Sequence, residues 1–335
     1  MTKSKVRVTI ADVAEKADVS TMTVSRVLNN KEGISEQTRE NVLNVMRDLG
    51  YRPNRIARSL ATDKSLKIGV VVPSISSAYF GAVLEGAERV FWEAEYHIVL
   101  CNTGNSAHRE ATVMELFEED RVDGVLAFSS HLSKEDLSNM LRTQRAAVVI
   151  NAEVEPGVAG HIYVDEFGAM SLAVRHLLSK SRCCLGYIGM GKNSFAKRER
   201  MYGFMASLKK QGQAVDPDHI LTLHSEDNKQ AIAGWLQDHP QIDGVICFND
   251  NIAATTLRAC ADLDKCIPDD VAVIGYDDIY LAELVTPTLT TLRLSMTKIE
   301  LGAMAARMLL ERIEGHVDQS PIVLNHELIL RDSAP

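Results

Sequence analysis

Thr9-Ile10-Ala11-Asp12-Val13-Ala14-Glu15-Lys16-Ala17-Asp18-Val19-Ser20-Thr21-Met22-Thr23-Val24-Ser25-Arg26-Val27-Leu28 is the stretch from which the fold is read. Ile10, Val13, Ala14 and Ala17 recur at i, i+3, i+4 and i+7, which predicts a short helix over 10–17. Thr9 and Asp12 suit its start: the hydroxyl takes an orphan amide and the acid sits at the positive end of the helix dipole. Asp18-Val19 breaks the pattern, and aspartate tolerates the left-handed conformation of a tight turn better than most residues. Ser20 then caps a second helix over 21–28, with Val24, Val27 and Leu28 on its apolar side. Asn29-Asn30-Lys31-Glu32-Gly33 reads as a loop. Ser35 caps a third helix that buries Val42, Val45, Met46 and Leu49 and stops at Gly50.

Two short helices joined by a tight turn, with a third closing the core, make a helix-turn-helix arrangement. The second helix leaves Thr21, Met22, Thr23, Ser25 and Arg26 on its free surface. Arginine can bond guanine O6 and N7 in a fork, and Met and Thr methyls can touch thymine methyls. A small three-helix domain with no nucleic-acid role has the same pattern. The charge distribution adds to the first reading. Residues 1–64 hold 12 Lys/Arg against 8 Asp/Glu, whereas the whole 335-residue chain has net charge −9. A basic head on an acidic body suits contact with a polyanion through the head alone; a solvated basic face has the same composition. In Tyr51-Arg52-Pro53-Asn54-Arg55-Ile56-Ala57-Arg58-Ser59-Leu60-Ala61-Thr62-Asp63-Lys64, Pro53 disfavours helix at Arg52 and Asn54 can cap a short helix over 55–61. That helix is too short to hold alone in water, and a plain linker is the alternative.

Residues 65–335 alternate short apolar runs with helical patterns. Strands are predicted at 68–73, 97–101, 124–128 and 147–151, then at 184–189, 219–223, 244–248 and 271–276. Helices are predicted over 80–95, 109–119, 133–143, 169–178, 198–211, 228–237 and 251–262, with an irregular stretch after 151. Such alternation implies parallel sheets with helices on both faces, and two successive runs imply two lobes. A ligand belongs at the carboxyl ends of the strands, between the lobes. The fold class is therefore α/β: a helical head over 1–64, then a two-lobed body over 65–335.

Polar residues gather at those strand ends: Tyr79-Phe80, Asn151, Lys197-Arg198-Glu199-Arg200, Asn249-Asp250 and Asp277-Asp278. Carboxylates and arginine forks suit vicinal hydroxyls, and aromatic faces suit the apolar side of a sugar ring. The same atoms suit helix caps and ion pairs between lobes. Gly189-Met190-Gly191 lacks the third glycine of a dinucleotide fingerprint, and no P-loop, G-x-S-x-G or H-E-x-x-H occurs. No enzyme chemistry, metal or other cofactor is expected. His97, His131, His161, His176 and His224 read as satisfied surface or core residues, and the six cysteines, without a C-x-x-C, as reduced and buried. No apolar run reaches the roughly 18 residues of a membrane helix, and the polar N-terminus is no secretory signal. A cytoplasmic protein without membrane contact is expected.

Three phrases of the head resemble the lactose-repressor/galactose-repressor (LacI/GalR) family of transcriptional regulators over about fifty residues: Thr9 to Ala14, Val19 to Asn29, and Gly50 to Leu60. Asp18, where that family often has Gly or Asn, is a small departure. The resemblance implies a homodimer on a near-palindromic double-stranded DNA operator. It places Thr21, Met22 and Arg26 at base-reading positions, Asn54 and Arg55 near the DNA backbone, Ala57 where paired hinge helices pack, and Leu60 where a wedge enters the minor groove. The body resembles the family's periplasmic-binding-protein-like effector domain over 66–332, through Arg121-Val122-Asp123-Gly124-Val125, Arg200 to Phe204, Phe248-Asn249-Asp250, Val273 to Asp278 and Pro287 to Thr291.

The resemblance implies effector contacts from Arg200, Asn249 and Asp277, a lid pair Tyr79 and Phe80, and a further contact from Asn151. Two features depart from it. Asp165-Glu166 stands where Asp-Asn is frequent, leaving Asp165 as a candidate ligand, and Ser225 stands where many members stack an aromatic. Lys192, Lys197 and Arg198 add positive charge near the expected pocket mouth, so a sugar acid rivals a neutral sugar as effector; Arg198 is counted among the effector contacts. Nucleosides and purines also stay open, as does activation in place of repression. No heptad segment follows Leu328-Ile329-Leu330, so a dimer rather than a tetramer is expected.

Overall fold

The computed structural model describes residues 8–28, 31–51, 64–191, 194–316 and 320–335. It divides into two compact units, Met1–Ser65 and Leu66–Pro335. In the first, α1 (Ile10–Ala17), α2 (Thr21–Leu28) and α3 (Glu36–Leu49) enclose a core built from Val13, Val24, Val27, Val42 and Met46. The local signals act as their chemistry dictates. Thr9 and Asp12 form a reciprocal capping box, and Asp18 ends α1 in the left-handed region at φ 55°. The Ser20 hydroxyl accepts from the Thr23 amide at 3.1 Å, and Ser35 caps α3. Asn41 Nδ2 donates to the Ala17 carbonyl at 3.0 Å and ties α3 to the end of α1. The helix expected over 55–61 lies outside the described residues.

The second unit has two six-stranded sheets. One has the order β11 (Ile322–Leu324), β5 (Gly160–Val164), β4 (Ala147–Ile150), β3 (Gly124–Phe128), β1 (Lys67–Val72), β2 (His97–Asn102). The other runs β12 (His326–Ile329), β10 (Thr290–Leu294), β9 (Ala272–Tyr276), β8 (Gly244–Cys247), β6 (Leu185–Met190), β7 (Ile220–Leu223). All pairings are parallel except β10 with β12. Both faces of each sheet are covered, so the inner strands are apolar on both sides. Ile68, Val70 and Val72 enter one core while Val71 enters the one across the sheet. Tyr187 and Ile246 likewise face one way, Ile188 and Val245 the other.

The chain crosses between lobes three times: after β5, after β10, and at Asn325 between β11 and β12. After the second crossing, the helix Lys298–Ile313 returns to the first lobe and packs on the helix Ala78–Glu93. The two backbones nearly touch there. A Cβ on Gly302 would lie 1.8 Å from the Val83 carbonyl oxygen, and one on Gly86 would lie 1.9 Å from that of Ile299.

Two expectations need correction. The stretch after 151 is not wholly irregular, because 160–164 forms β5; His161 and Tyr163 interrupt its apolar run and hide it. Of the six cysteines, all free, Cys183 and Cys266 are exposed rather than buried. Their place is fixed by backbone amides that donate to Asp243 and Asp270 at turns. No described helix is long and apolar enough to cross a membrane.

Candidate functional site: a helical surface and an inter-lobe cavity

On α2, Thr21, Met22 and Arg26 are exposed, Met22 to 71%. An apolar side chain so exposed is free to meet a partner surface. Thr23 and Ser25 are half-buried, and the Thr23 hydroxyl is shared with that of Ser20 at 2.9 Å. Arg26 Nη2 donates to the Glu32 carbonyl at 2.8 Å, so the loop after α2 steadies the guanidinium. Asn54, Arg55, Ala57 and Leu60 lie outside the described residues.

In the second unit a cavity of about 780 Å³ opens between the lobes, within the range of small-ligand sites. It lies at the carboxyl ends of the strands: Pro73 follows β1, Ser129 β3, Asn151 β4, Phe248 β8 and Asp277 β9, and each lines it. Ser129, Asn151 and Asp277 adopt positive φ of 45°, 54° and 99°. Non-glycine residues are uncommon there, and these three end their strands by turning toward one space. The crossings line it too, through Glu166, Thr297 and His326.

The inner end is one hydrogen-bonded network. Arg200 Nε donates to Glu166 Oε2 at 2.7 Å and Nη2 to Oε1 at 3.1 Å, while Nη1 donates to the Phe248 carbonyl. The guanidinium carbon lies 3.4 Å from the Tyr276 ring centroid and 4.4 Å from that of Phe248. Asn151 Nδ2 donates to Glu166 Oε1 at 2.6 Å, and the Tyr276 hydroxyl donates to Oε2 and contacts His326 Nε2 at 2.7 Å. Burial works against charge on both Glu166 and Arg200, but each partner overrides it: the carboxyl is held below its usual range and the guanidinium well above. Burial pushes His326 down to about 4, so its ring is neutral at pH 7.

Asp277 also lines the cavity, and among the described residues no donor reaches its carboxylate. Burial pushes it up to about 7, against the pull of Arg200. Asn249 lines the cavity while its Oδ1 caps the helix Asp250–Asp262 and its Nδ2 donates to Glu226 at 2.6 Å. It thus satisfies the cap reading and the site reading together. Tyr79 and Phe80 stand on the first turn of Ala78–Glu93, their rings edge to face at 5.3 Å, with Phe80 also against Phe128 at 6.0 Å. Lys197 lines the cavity, and burial lowers its pKa.

Arg198 does not line it. Exposed one position on, it donates to Glu153 at 2.6 Å. Asp165 is spent on capping the helix Glu166–Ser179, accepting from Gly168 at 2.8 Å. Ser225 lines the cavity with its hydroxyl turned to Asp227. His131 and His224, read as ordinary histidines, also line it, and Lys192 lies outside the described residues. The acidic pairs at strand ends divide their labour. Asp250 is buried, taking Thr291 Oγ1 at 2.6 Å and the Ile279 amide at 2.8 Å, and Asp278 pairs with Arg331 at 2.8 Å.

Glu166, Tyr276 and His326 were missed by sequence reasoning. One signal was present: two adjacent carboxylates where a strand meets a helix. When the first caps, the second falls in the first turn, here turned inward. Nothing local marks His326, which meets Tyr276 across 50 positions of chain.

The family model described as "Bacterial regulatory proteins, lacI family" matches residues 9–54, and that described as "Periplasmic binding protein-like domain" matches 174–334. The HTH-type transcriptional regulator RegA of Clostridium saccharobutylicum is 32% identical over 328 residues, covering 97% of this chain and 98% of its own. Among solved structures, the transcriptional regulator CelR in complex with cellobiose is 26% identical with a TM-score of 0.71, covering 98% of this chain and 100% of that one. The lac repressor dimer bound to operator and an anti-inducer reaches a TM-score of 0.86 at 24% identity, covering 98% and 99%, a likeness of fold. Full-length similarity to RegA, the two matched domains and the α2 surface on one chain agree: the protein is a helix-turn-helix transcriptional regulator that belongs to the lacI family of bacterial regulatory proteins.

Proposed function

We propose that the protein is a repressor that binds a near-palindromic operator as a homodimer and is controlled by a small polyhydroxylated effector, a sugar or sugar derivative, held between the lobes. The observation that carries this reading is one chain bearing both a helix-turn-helix whose second helix exposes Met22 and Arg26 and a ligand-sized cavity lined by the unpartnered carboxyl of Asp277. CelR, similar over the full length, binds cellobiose. Thr21, Met22, Thr23, Ser25 and Arg26 read bases; Asn54, Arg55, Ala57 and Leu60 extend the contact beyond α2. Tyr79, Phe80, Asn151, Arg200, Asn249 and Asp277 hold the effector.

The cavity is a binding site and not an active site, since its charged groups are mostly committed to caps and ion pairs that set its shape. The protein works in the cytoplasm, where its DNA is. Phosphate contacts supply most of the affinity and base contacts the choice of sequence. The effector shifts operator affinity only by its differential affinity for two arrangements of the lobes. The test is fluorescence anisotropy with operator candidates selected from random duplexes, repeated with sugars, sugar acids, nucleosides and purines. A half-site palindrome whose affinity changes with one ligand class supports the reading. Binding without sequence preference, indifferent to every class, overturns it.

A further inference from the structure

We infer that Glu166 sets the effector class: by taking up the charge of Arg200, it fits the inner end of the cavity to an uncharged polyhydroxyl ligand and against a carboxylate or phosphate. The inference rests on the cavity being the effector site. Anion recognition by arginine uses its planar fork, two parallel N–H groups on one edge. In Arg200 that edge is occupied, since Nε and Nη2 both face Glu166. Three of its five donors are used within the protein, leaving two N–H groups, one on each terminal nitrogen, on a guanidinium whose charge Glu166 already balances.

Glu166 in turn receives donors from Arg200, Asn151 and Tyr276, so its charge persists and the pair sums to zero. What lines the cavity here is then a mixed set: Arg200 with its spare donors and the Asp277 carboxyl, beside Asn151, whose Oδ1 is buried without a partner among the described residues. A hydroxyl both donates and accepts, and it suits such a set. A carboxylate or phosphate only accepts, and it meets Glu166, and Asp277 once ionised, as like charges.

Of the other cations lining the cavity, one is ion-paired as well. Arg293 is held by Glu327 at 2.7 Å and Asp278 at 3.3 Å. Lys298 donates to the Asp278 carbonyl at 3.0 Å. Lys197, on the first turn of the helix Phe195–Lys210, and Lys298 have no carboxylate partner among the described residues, so any residual anion affinity belongs to these two rather than to Arg200.

The experiment is calorimetric titration of the full-length protein with matched triads: glucose, glucuronate and glucose 6-phosphate, and the same three forms of galactose. The uncharged member is expected to bind at least about tenfold tighter than its acid and its phosphate. Glu166→Gln frees the Arg200 charge and is expected to close that gap by about tenfold, a change of ratio that mere loosening of the site would not give. An acid or phosphate binding tightest to the wild-type protein overturns the inference and leaves the effector reading standing. So does an unchanged ratio in folded Glu166→Gln. Should that variant fail to fold, the wild-type ratio decides alone. No binding by any triad overturns the sugar reading of the cavity, and this inference with it.

Discussion

Arg26 is exposed on α2, yet its guanidinium is already oriented by the Glu32 carbonyl. A side chain steadied before binding loses less rotamer entropy on contact. Arg26→Ala is expected to weaken operator binding by about 1–3 kcal/mol and to relax the preference at one base pair per half-site. Anisotropy against single-base operator variants checks this; an unaltered preference would remove Arg26 from base readout. In the cavity, Asp277 titrates near pH 7 because burial disfavours its charge, with Asp250 and Glu166 raising it and Arg200 and Lys298 opposing. Its carboxylate form, the better acceptor for ligand hydroxyls, prevails above about 7 and is lost as pH falls through that value. Effector affinity is therefore expected to drop from pH 8 to pH 6, and Asp277→Asn should flatten that profile while sparing operator binding. A profile equally steep in the variant would assign the titration elsewhere, with Asp250, also pushed up to about 7 by burial, the first alternative.

At the scale of elements, the helices Ala78–Glu93 and Lys298–Ile313 are the tightest joint in the first lobe. Gly86 and Gly302 let their backbones meet, because a Cβ at either place would strike a carbonyl oxygen that no rotamer change can move. The N-terminal turn of one helix carries Tyr79 and Phe80, and that of the other follows the crossing that lines the cavity. The spacing of these helices thus bears on the lid pair as well as on stability. Gly302→Ala is expected to cost at least the roughly 1–3 kcal/mol typical of overpacking. Urea unfolding followed by far-UV circular dichroism measures it. A midpoint equal to the wild type would show that the joint yields more easily than its geometry indicates.

For the whole molecule, the three crossings tie ligand, lobes and chain path together. A ligand touching Glu166, Thr297 and His326 contacts all three at once. Closure is then coupled to binding through the backbone itself rather than through a relay of side chains. The cavity belongs wholly to the unit Leu66–Pro335, whose core is separate from that of the head. Effector at a hundred times its dissociation constant should stabilise that unit by about 2.7 kcal/mol. In scanning calorimetry the body transition should rise while a head transition stays put. Equal shifts in both would mean that the units unfold as one.

Local chemistry alone determined much of this protein. The capping box at Thr9 and Asp12, the left-handed Asp18, the Ser20 and Ser35 caps and the period of apolar residues set the head, because each acts within a few residues of itself. Runs such as Ile68 to Val72 announced buried parallel strands, and strand ends gathered the polar residues among which the family resemblance singled out Arg200, Asn249 and Asp277. Tertiary structure decided what depends on distant partners. Strand β5 was hidden because the half-buried His161 and Tyr163 interrupt its apolar run, and β11 because three residues carry no readable period. The choice between Asp165 and Glu166 was made by the first turn of a helix, which spends one acid on its own amides and points the other at an arginine 34 residues away. A charge is a property of sequence, but whether it is free to meet a ligand depends on its neighbours in space, and for Arg200 those neighbours are Glu166, Tyr276 and Phe248.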